Sequence, residues 1–450
     1  MAPRRRSVHH QNRNPWGWVV VVATFVTLFI TFGNLKALGV LLLAMQNDFN
    51  SDVWIIGWIS VLYNSISFLS GPFVTSIDSL VSSRRCVVIV GGVMGSAGFI
   101  IGSQSTTVLQ LTLSIAILSG LGKALSYYPF FGVLASYFSE NYSVAVAIAS
   151  SGIPISMIVY GPLTQILLDT YGWRGTMLIL GGISSHIIVC GELLKAPAVA
   201  SPTDTGEQYQ QVPDDEEEVD DISTEGDNIP TSKSHQGKCL TIKGNIQRFL
   251  TSMDFKILAN KRFIFLSAAM SGVHFCYSGW VVYMVSHGVF QGLSPYQASL
   301  LPTSFGIGHI LGKFMEPLLD RTRLKLSTCT WVYLGCVIMF ASYLTEAFMI
   351  FFPAQMLVTW FIGTGLGIVT QSRDVLVRFL TSVDRFVAVL SWQSLLGGLC
   401  AMGSGLLTGL IYEWTGSFQA ALIMYSGIML ISILLFFIYD KITKREQDQC

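Results

Sequence analysis

A lysine lies in the middle of an apolar run close to the start of the chain. The run reads FGNLKALGVLLLAM over residues 32–45, and Lys36 is its one charged residue. About ten helical residues, or about 15 Å, separate Lys36 from the polar boundary at Gln46, which places it close to a membrane midplane. An ammonium there costs about 2.5–3.5 kcal/mol, so Lys36 should face a protein interior or water, where it could bind a carboxylate. A structural pairing with a neighbouring acid, or snorkelling, is the alternative.

Four other polar side chains lie inside apolar runs and could share a cavity with Lys36. Tyr63 and Asn64 lie midway along the second run of the chain, and Lys123 lies midway along the fourth, one turn before Tyr127. Hydroxyl, amide and ammonium groups at this depth can hydrogen-bond a polar solute. For Lys123, a place in the cavity wall and a structural role both stay open. The candidate substrate-binding residues are Lys36, Tyr63, Asn64, Lys123 and Tyr127.

Charged residues at the ends of two runs are typical of a gate. DSLVSSRR begins at Asp78 and DRTRLK begins at Asp320, so an acid precedes basic residues in both. Such pairs can lock neighbouring helices and must part when the helices move, although a topological signal alone would also place basic residues here. Three residues apart on one helix face, Lys313 and Glu316 can pair as well. The predicted gating residues are Asp78, Arg84, Arg85, Lys313, Glu316, Asp320 and Arg321.

Proton coupling would need a titratable group that exchanges its proton as the solute binds. The candidates are Lys36, His274, Arg373 and Asp374. Arg373 and Asp374 follow the tenth apolar run and could instead neutralise each other at the membrane edge. His274, like His309, is a lone histidine in an apolar helix, where a structural hydrogen bond is the alternative.

Twelve apolar runs must position these residues. The length of each run is close to that of a helix that crosses a bilayer, about 20 residues. The runs form two groups of six. The sequence therefore predicts an all-α membrane protein with twelve transmembrane helices in two six-helix bundles. The runs lie near Trp18–Leu42, Ile55–Ile77, Cys86–Gly102, Leu109–Ala135, Val144–Leu168, Thr176–Leu194, Phe263–Ser286, Ala298–Leu319, Leu326–Leu344, Phe348–Thr370, Val387–Ile411 and Phe418–Tyr439.

The polar segments set the domain boundaries and the orientation. Segment 196–260 holds the acidic run DDEEEVDD and too little apolar surface to fold, so it is a predicted disordered linker. Basic residues concentrate in alternate connections, which predicts that the linker and both termini are cytoplasmic. The predicted divisions are a tail (1–17), an N-terminal bundle (18–195), the linker (196–260), a C-terminal bundle (261–440) and a tail (441–450).

Two segments of the N-terminal bundle are similar in sequence to two segments of the C-terminal bundle. GPLTQILLDTYG begins at Gly161 and GLLTGLIYEWTG at Gly405, an offset of 405 − 161 = 244, and GPFVTSID (71–78) is similar to GKFMEPLLD (312–320). Since six spans per half is an even number, both halves enter the membrane from one side. Parallel repeats of this kind are typical of rocking transporters, with the solute site between the halves.

Composition excludes several other classes of protein. The 450 residues are 51% hydrophobic and 12% charged, with no formal net charge, so no basic field favours nucleic acid. The eight cysteines lack metal-binding spacing, and no nucleophile–base set or paired carboxylates indicate an enzyme. We predict no metal, cofactor or catalytic residue.

Several motifs in the first half resemble the monocarboxylate transporter family (solute carrier family 16) of the major facilitator fold. They include NPWGWVVVVATF (14–25), GLGKALSYYP (120–129) and YGWRGTMLILGG (171–182). The resemblance implies alternating access, a plasma-membrane location, a short carboxylate carried by proton symport and a single-span chaperone glycoprotein, besides contact with lipid. It also implies a lysine in the first span, matched by Lys36, and an Asp–Arg pair in the eighth, where this chain reads Gly308 and Gly312. The family's double-basic residues before the fifth span are replaced by Asn141 and Tyr142.

These departures favour a divergent member over a proton-coupled lactate carrier. The expected function is transport of a small organic anion by alternating access. The alternatives are a facilitator of amphipathic or aromatic amino-acid-like solutes, and a membrane sensor that keeps the carrier fold without completing the transport cycle.

Overall fold

The computed structural model describes residues 15–81, 83–138, 142–195, 255–319, 326–380 and 386–447. Within these ranges the chain is helical and contains no strand, as the sequence predicts. Most of the predicted linker, most of the N-terminal tail, the end of the C-terminal tail, and the predicted gating residues Asp320 and Arg321 lie outside the described residues.

Six spans form the N-terminal half, and breaks in helical geometry separate or bend them. The second span bends by 43° after Leu69, where Pro72 opens its second segment. Gly172, with φ 67°, takes a conformation that other residues rarely adopt, and it divides the fifth span from the sixth. The helices are Trp16–Phe49 (first span), Val53–Leu69 and Gly71–Leu80 (second), Arg84–Ser103 (third), Val108–Leu111, the π-helix Thr112–Ser119 and Gly120–Tyr137 (fourth), and Tyr142–Ser150, Gly152–Ser184 and His186–Glu192 (fifth and sixth).

The C-terminal half repeats this layout, and polar caps start several of its helices. The Asn260 side chain accepts the backbone N–H of Arg262 at 2.9 Å, and the Ser327 hydroxyl accepts that of Thr330, which satisfies donors that a helix start leaves open. The helices are Lys261–Phe290 (seventh span), Pro295–Ser299 and Leu301–Leu319 (eighth), Thr328–Glu346 (ninth), Phe352–Leu380 (tenth), Phe386–Thr415 (eleventh) and Gln419–Gln447 (twelfth).

Length and hydropathy alone identify up to ten spans among the described residues, and the course of the helices adds two more. Nine described helical stretches are long and apolar enough to cross a membrane, and the bent second span makes ten. One of the nine, Val144–Glu192, contains two spans because Gly172 breaks it, and Leu301–Leu319 adds the charged eighth span. The prediction that Arg373 and Asp374 lie beyond the tenth span was wrong, since that helix continues to Leu380.

The two halves meet along three pairs of spans. The second span packs on the eleventh, the fifth on the eighth and the first on the seventh. Small residues allow this approach: a Cβ at Gly306 of the eighth span would lie 2.7 Å from the Pro154 carbonyl oxygen of the fifth. We call the side that holds Trp16, where the odd spans begin, the terminal face, and the other side the opposite face.

Candidate functional site

A cavity of about 90 Å³ lies between the two halves. A single water needs about 10–15 Å³ on this measure, so the cavity has room for several waters or a small solute. Its walls come from the first, second, fourth and fifth spans of one half and the seventh, eighth, tenth and eleventh of the other. The lining residues that carry polar groups are Tyr127, Ser150, His274, Tyr277, His309, Lys313, Thr370, Arg373, Asp374 and Ser394.

Three charged side chains of the described residues line the cavity, all from the C-terminal half. Arg373 donates from Nη2 and Nε to the same Asp374 oxygen, at 2.6 and 2.9 Å. Lys313 is only 6% exposed, and its Nζ donates to the Ser150 hydroxyl across the interface at 2.6 Å. The formal charge of the described wall is therefore two cations and one anion, a net +1 with histidines counted as neutral. A cavity with a surplus positive charge favours an anion.

Two histidines also line the cavity. His309 lies one turn before Lys313 and is 3% exposed, and neither of its ring nitrogens has a partner among the described residues. An unsatisfied buried polar group is costly unless a ligand or water reaches it. The expected structural hydrogen bond of His309 is therefore not seen. His274 does have one, because its Nδ1 lies 2.9 Å from the Met270 carbonyl oxygen of its own helix.

Aromatic rings form much of the remaining wall. Tyr127 makes an edge contact with Phe68 and packs on Phe131, with ring centroids 6.4 and 5.0 Å apart. Phe32 and Tyr277 complete the ring-bearing surface. Flat, rigid, apolar walls beside a few charges are typical of a site for a solute with an apolar body and one polar end.

The cavity is displaced toward the terminal face. Lys313 and Arg373 lie six and seven residues before the terminal-face ends of their helices, Leu319 and Leu380, or about 10 Å. On the opposite side the halves touch directly, for example where the Thr303 hydroxyl donates to the Ile158 carbonyl at 3.1 Å. The structure is therefore closed toward the opposite face.

Lys36 lies at the closed end, outside the cavity wall. It is 2% exposed, and its Nζ donates to the hydroxyl of Tyr277, a lining residue of the seventh span, at 3.3 Å. No acid pairs with it among the described residues. The lysine thus faces the protein interior at the interface of the halves.

Lys123, Tyr63 and Asn64 meet one another inside the N-terminal half. Lys123 Nζ donates to Asn64 Oδ1 at 2.6 Å and lies 4.1 Å from the ring centroid of Phe32, and the Tyr63 hydroxyl donates to the Thr31 carbonyl. Lys123 and Tyr63 line a separate void of about 10 Å³, enough for one water. The structure brings Tyr127 alone of the five predicted binding residues to the wall of the large cavity.

The predicted gating residues that are described occupy two places. Asp78 pairs with Arg84 at 3.2 Å and so joins the second span to the third, while Arg85 Nε donates to the Leu194 carbonyl at 3.0 Å. Lys313 contacts Ser150, whereas Glu316 accepts from the Ser372 hydroxyl at 2.6 Å, so these two side chains contact different helices. Of the predicted coupling residues, His274, Arg373 and Asp374 line the cavity, and all these roles stay predictions.

Sequence reasoning missed His309 and Lys313 as wall residues. The four-residue spacing of a histidine and a lysine places both on one helix face, and that signal was available. What the sequence did not reveal was Ser150, more than 160 residues away, on the facing helix.

Known proteins are similar to this chain in sequence and in fold. The family profile of the Major Facilitator Superfamily matches residues 24–377. Monocarboxylate transporter 12 of Mus musculus is 26% identical over 434 residues, 96% of this chain and 86% of that protein. Monocarboxylate transporter 11 of Homo sapiens is 37% identical over 182 residues, 40% and 38% of the two chains. Among solved structures, a bacterial homologue of the human lysosomal transporter Spinster, inward-facing and unoccupied, covers 96% of this chain and 98% of its own, with a TM-score of 0.66 and 12% identity.

Proposed function

Because this chain belongs to the Major Facilitator Superfamily, as a divergent member of its monocarboxylate transporter family, we propose that it moves a small organic anion by alternating access. Membership makes it a multi-pass membrane transporter and not an enzyme. The observation that carries the proposal is the net positive cavity between the halves, with Lys313 in its wall.

Lys313 is the residue we propose to hold the substrate's negative group. Its ammonium is buried and lines the cavity, and its hydrogen-bond partner among the described residues, Ser150, is neutral. A carboxylate can therefore add to it without displacing an ion pair. His309, one turn away and without a hydrogen-bond partner among the described residues, offers a second donor or acceptor to the same group.

The solute's body should be apolar or aromatic. In the part of the chain that the structure describes, the cavity is bordered by the phenyl and phenol rings of Phe32, Phe68, Tyr127, Phe131 and Tyr277. Burying an apolar body against them would contribute to binding. This wall favours an amphipathic acid over a small, fully polar one, and so joins the organic-anion proposal to the aromatic-solute alternative.

The proposed transport cycle starts from an interface that is closed on its opposite side. Contacts between the fifth and eighth spans, and between the first and seventh, would separate at the opposite face while the terminal face closes. Lys36, now covered behind Tyr277, would then be uncovered at the other end of the path. We propose that the protein lies in the plasma membrane with both termini in the cytoplasm. The closed opposite face is then the outer one, and the present state is inward-facing.

The test is uptake of radiolabelled benzoate and butyrate by proteoliposomes that contain the purified protein. We expect saturable uptake above protein-free vesicles, with benzoate favoured by the aromatic wall. Uptake absent for both acids, in vesicles that bind neither, would contradict the proposal. Binding of benzoate without uptake would instead indicate a membrane sensor that keeps the carrier fold without completing the transport cycle. An internal pH dye read in the same vesicles reports whether a proton accompanies the anion.

A further inference from the structure

We propose that Asp374 sets the charge preference of the cavity, so that a monoanion is accepted and a dianion is rejected. This inference rests on the proposed anion transport.

Asp374 neutralises one of the two cations of the wall. One of its oxygens accepts both Arg373 hydrogen bonds, and the two side chains remain 25% and 15% exposed, which places the pair at the cavity surface. Lys313 on the eighth span lines the same cavity as the pair. The three charges therefore act on one space, and the acid reduces the charge there from +2 to +1.

A net charge of +1 matches one carboxylate. With a monoanion bound, the described wall and its solute are neutral. With a dianion bound, one negative charge is left uncompensated in a site lined largely by aromatic and aliphatic groups, which is costly. Removing the Asp374 charge would leave +2 and so match a dianion. Lys36, behind Tyr277 and outside the wall, contributes equally in both cases.

The experiment measures uptake of matched mono- and dianions at neutral pH: butyrate against succinate, and benzoate against isophthalate. Asp374→Asn should raise the dianion-to-monoanion uptake ratio by about tenfold or more, since a unit charge in a poorly solvated site changes anion binding by that order. Asp374→Glu should keep the wild-type ratio. The double variant Arg373→Gln/Asp374→Asn restores a net +1 and should return the ratio toward wild type, which a merely structural role for the pair would not produce. Asp440→Asn, which removes an acid paired with Lys444 far from the cavity, is the matched control.

The outcomes separate this inference from the proposed function. If the wild type takes up none of the four acids, anion transport itself fails. If the wild type takes up the monoanions and Asp374→Asn keeps the same ratio, only the role of Asp374 is overturned. Should Asp374→Asn not be monodisperse in detergent, Asp374→Ala and the double variant decide by the same ratio, and an unchanged ratio in the former overturns the inference.

Discussion

At the residue scale, three buried lysines have different surroundings. Lys313 borders the large cavity, Lys123 is held by Asn64 and aromatic rings inside one half, and Lys36 touches Tyr277 at the junction of both halves. All are buried, so burial alone does not identify the ligand-binding cation. The space beside the ammonium is the better criterion, and among these three lysines it favours Lys313 as the proposed binding cation.

Replacing Lys313 by Gln should lower benzoate affinity by about tenfold or more. A hydrogen bond to a charged group contributes about 1.5–3 kcal/mol, and 1.4 kcal/mol is a factor of ten. The affinity is measured by the concentration dependence of uptake, with Lys313→Arg as the charge-preserving variant. Lys444→Gln, at a side chain that is 70% exposed, should leave uptake unchanged. Wild-type affinity in Lys313→Gln would remove this residue from the site.

Replacing Lys36 by Gln should also reduce uptake at equal protein density in the vesicles. Lys36 lies outside the cavity wall in the present state. We therefore expect the maximal rate of uptake to fall more than the affinity for a solute added at the terminal face. Tyr277→Phe keeps the charge and removes only the 3.3 Å contact, so it should have the smaller effect. If Lys36→Gln transports at the wild-type rate, the assignment of Lys36 is wrong.

At the element scale, apolar run length predicted the helices well and their ends less well. Charge ended the predicted tenth run at Thr370, whereas the helix continues ten residues further and includes Arg373 and Asp374, which pair with each other. This extension brings the pair into the cavity. The partners of Lys313, Lys123 and Lys36 lie between 59 and 241 residues away, and no single-sequence pattern reports such contacts.

Neutralising the link between the second and third spans should slow transport. Asp78 is largely covered and pairs with Arg84 at the terminal face, where the pair ties the third span to the part of the second span that packs on the eleventh span of the other half. Asp78→Asn should lower the maximal rate of benzoate uptake several-fold with little change in half-saturating concentration. Asp440→Asn serves again as the control, and an unaltered maximal rate would exclude the gating role of Asp78.

At the scale of the whole molecule, the proposed alternating access requires the interface between the halves to open at one face as it closes at the other. Thr303 and Ile158 join the eighth and fifth spans on the closed side. A disulfide between cysteines placed at these two positions should abolish uptake, and reduction should restore it, because the closed side could no longer open. Uptake by Ile158→Cys alone and by Thr303→Cys alone should be insensitive to the oxidant. Full uptake by the cross-linked protein would contradict rocking at this interface.

Counterflow is the most direct test that the cavity belongs to a carrier. Proteoliposomes are loaded with unlabelled benzoate, diluted into a trace of labelled benzoate, and followed in time. Alternating access predicts a transient accumulation of label above its equilibrium level, abolished by the Ile158–Thr303 cross-link. Label that binds to the protein and never rises above the binding level would contradict the carrier mechanism.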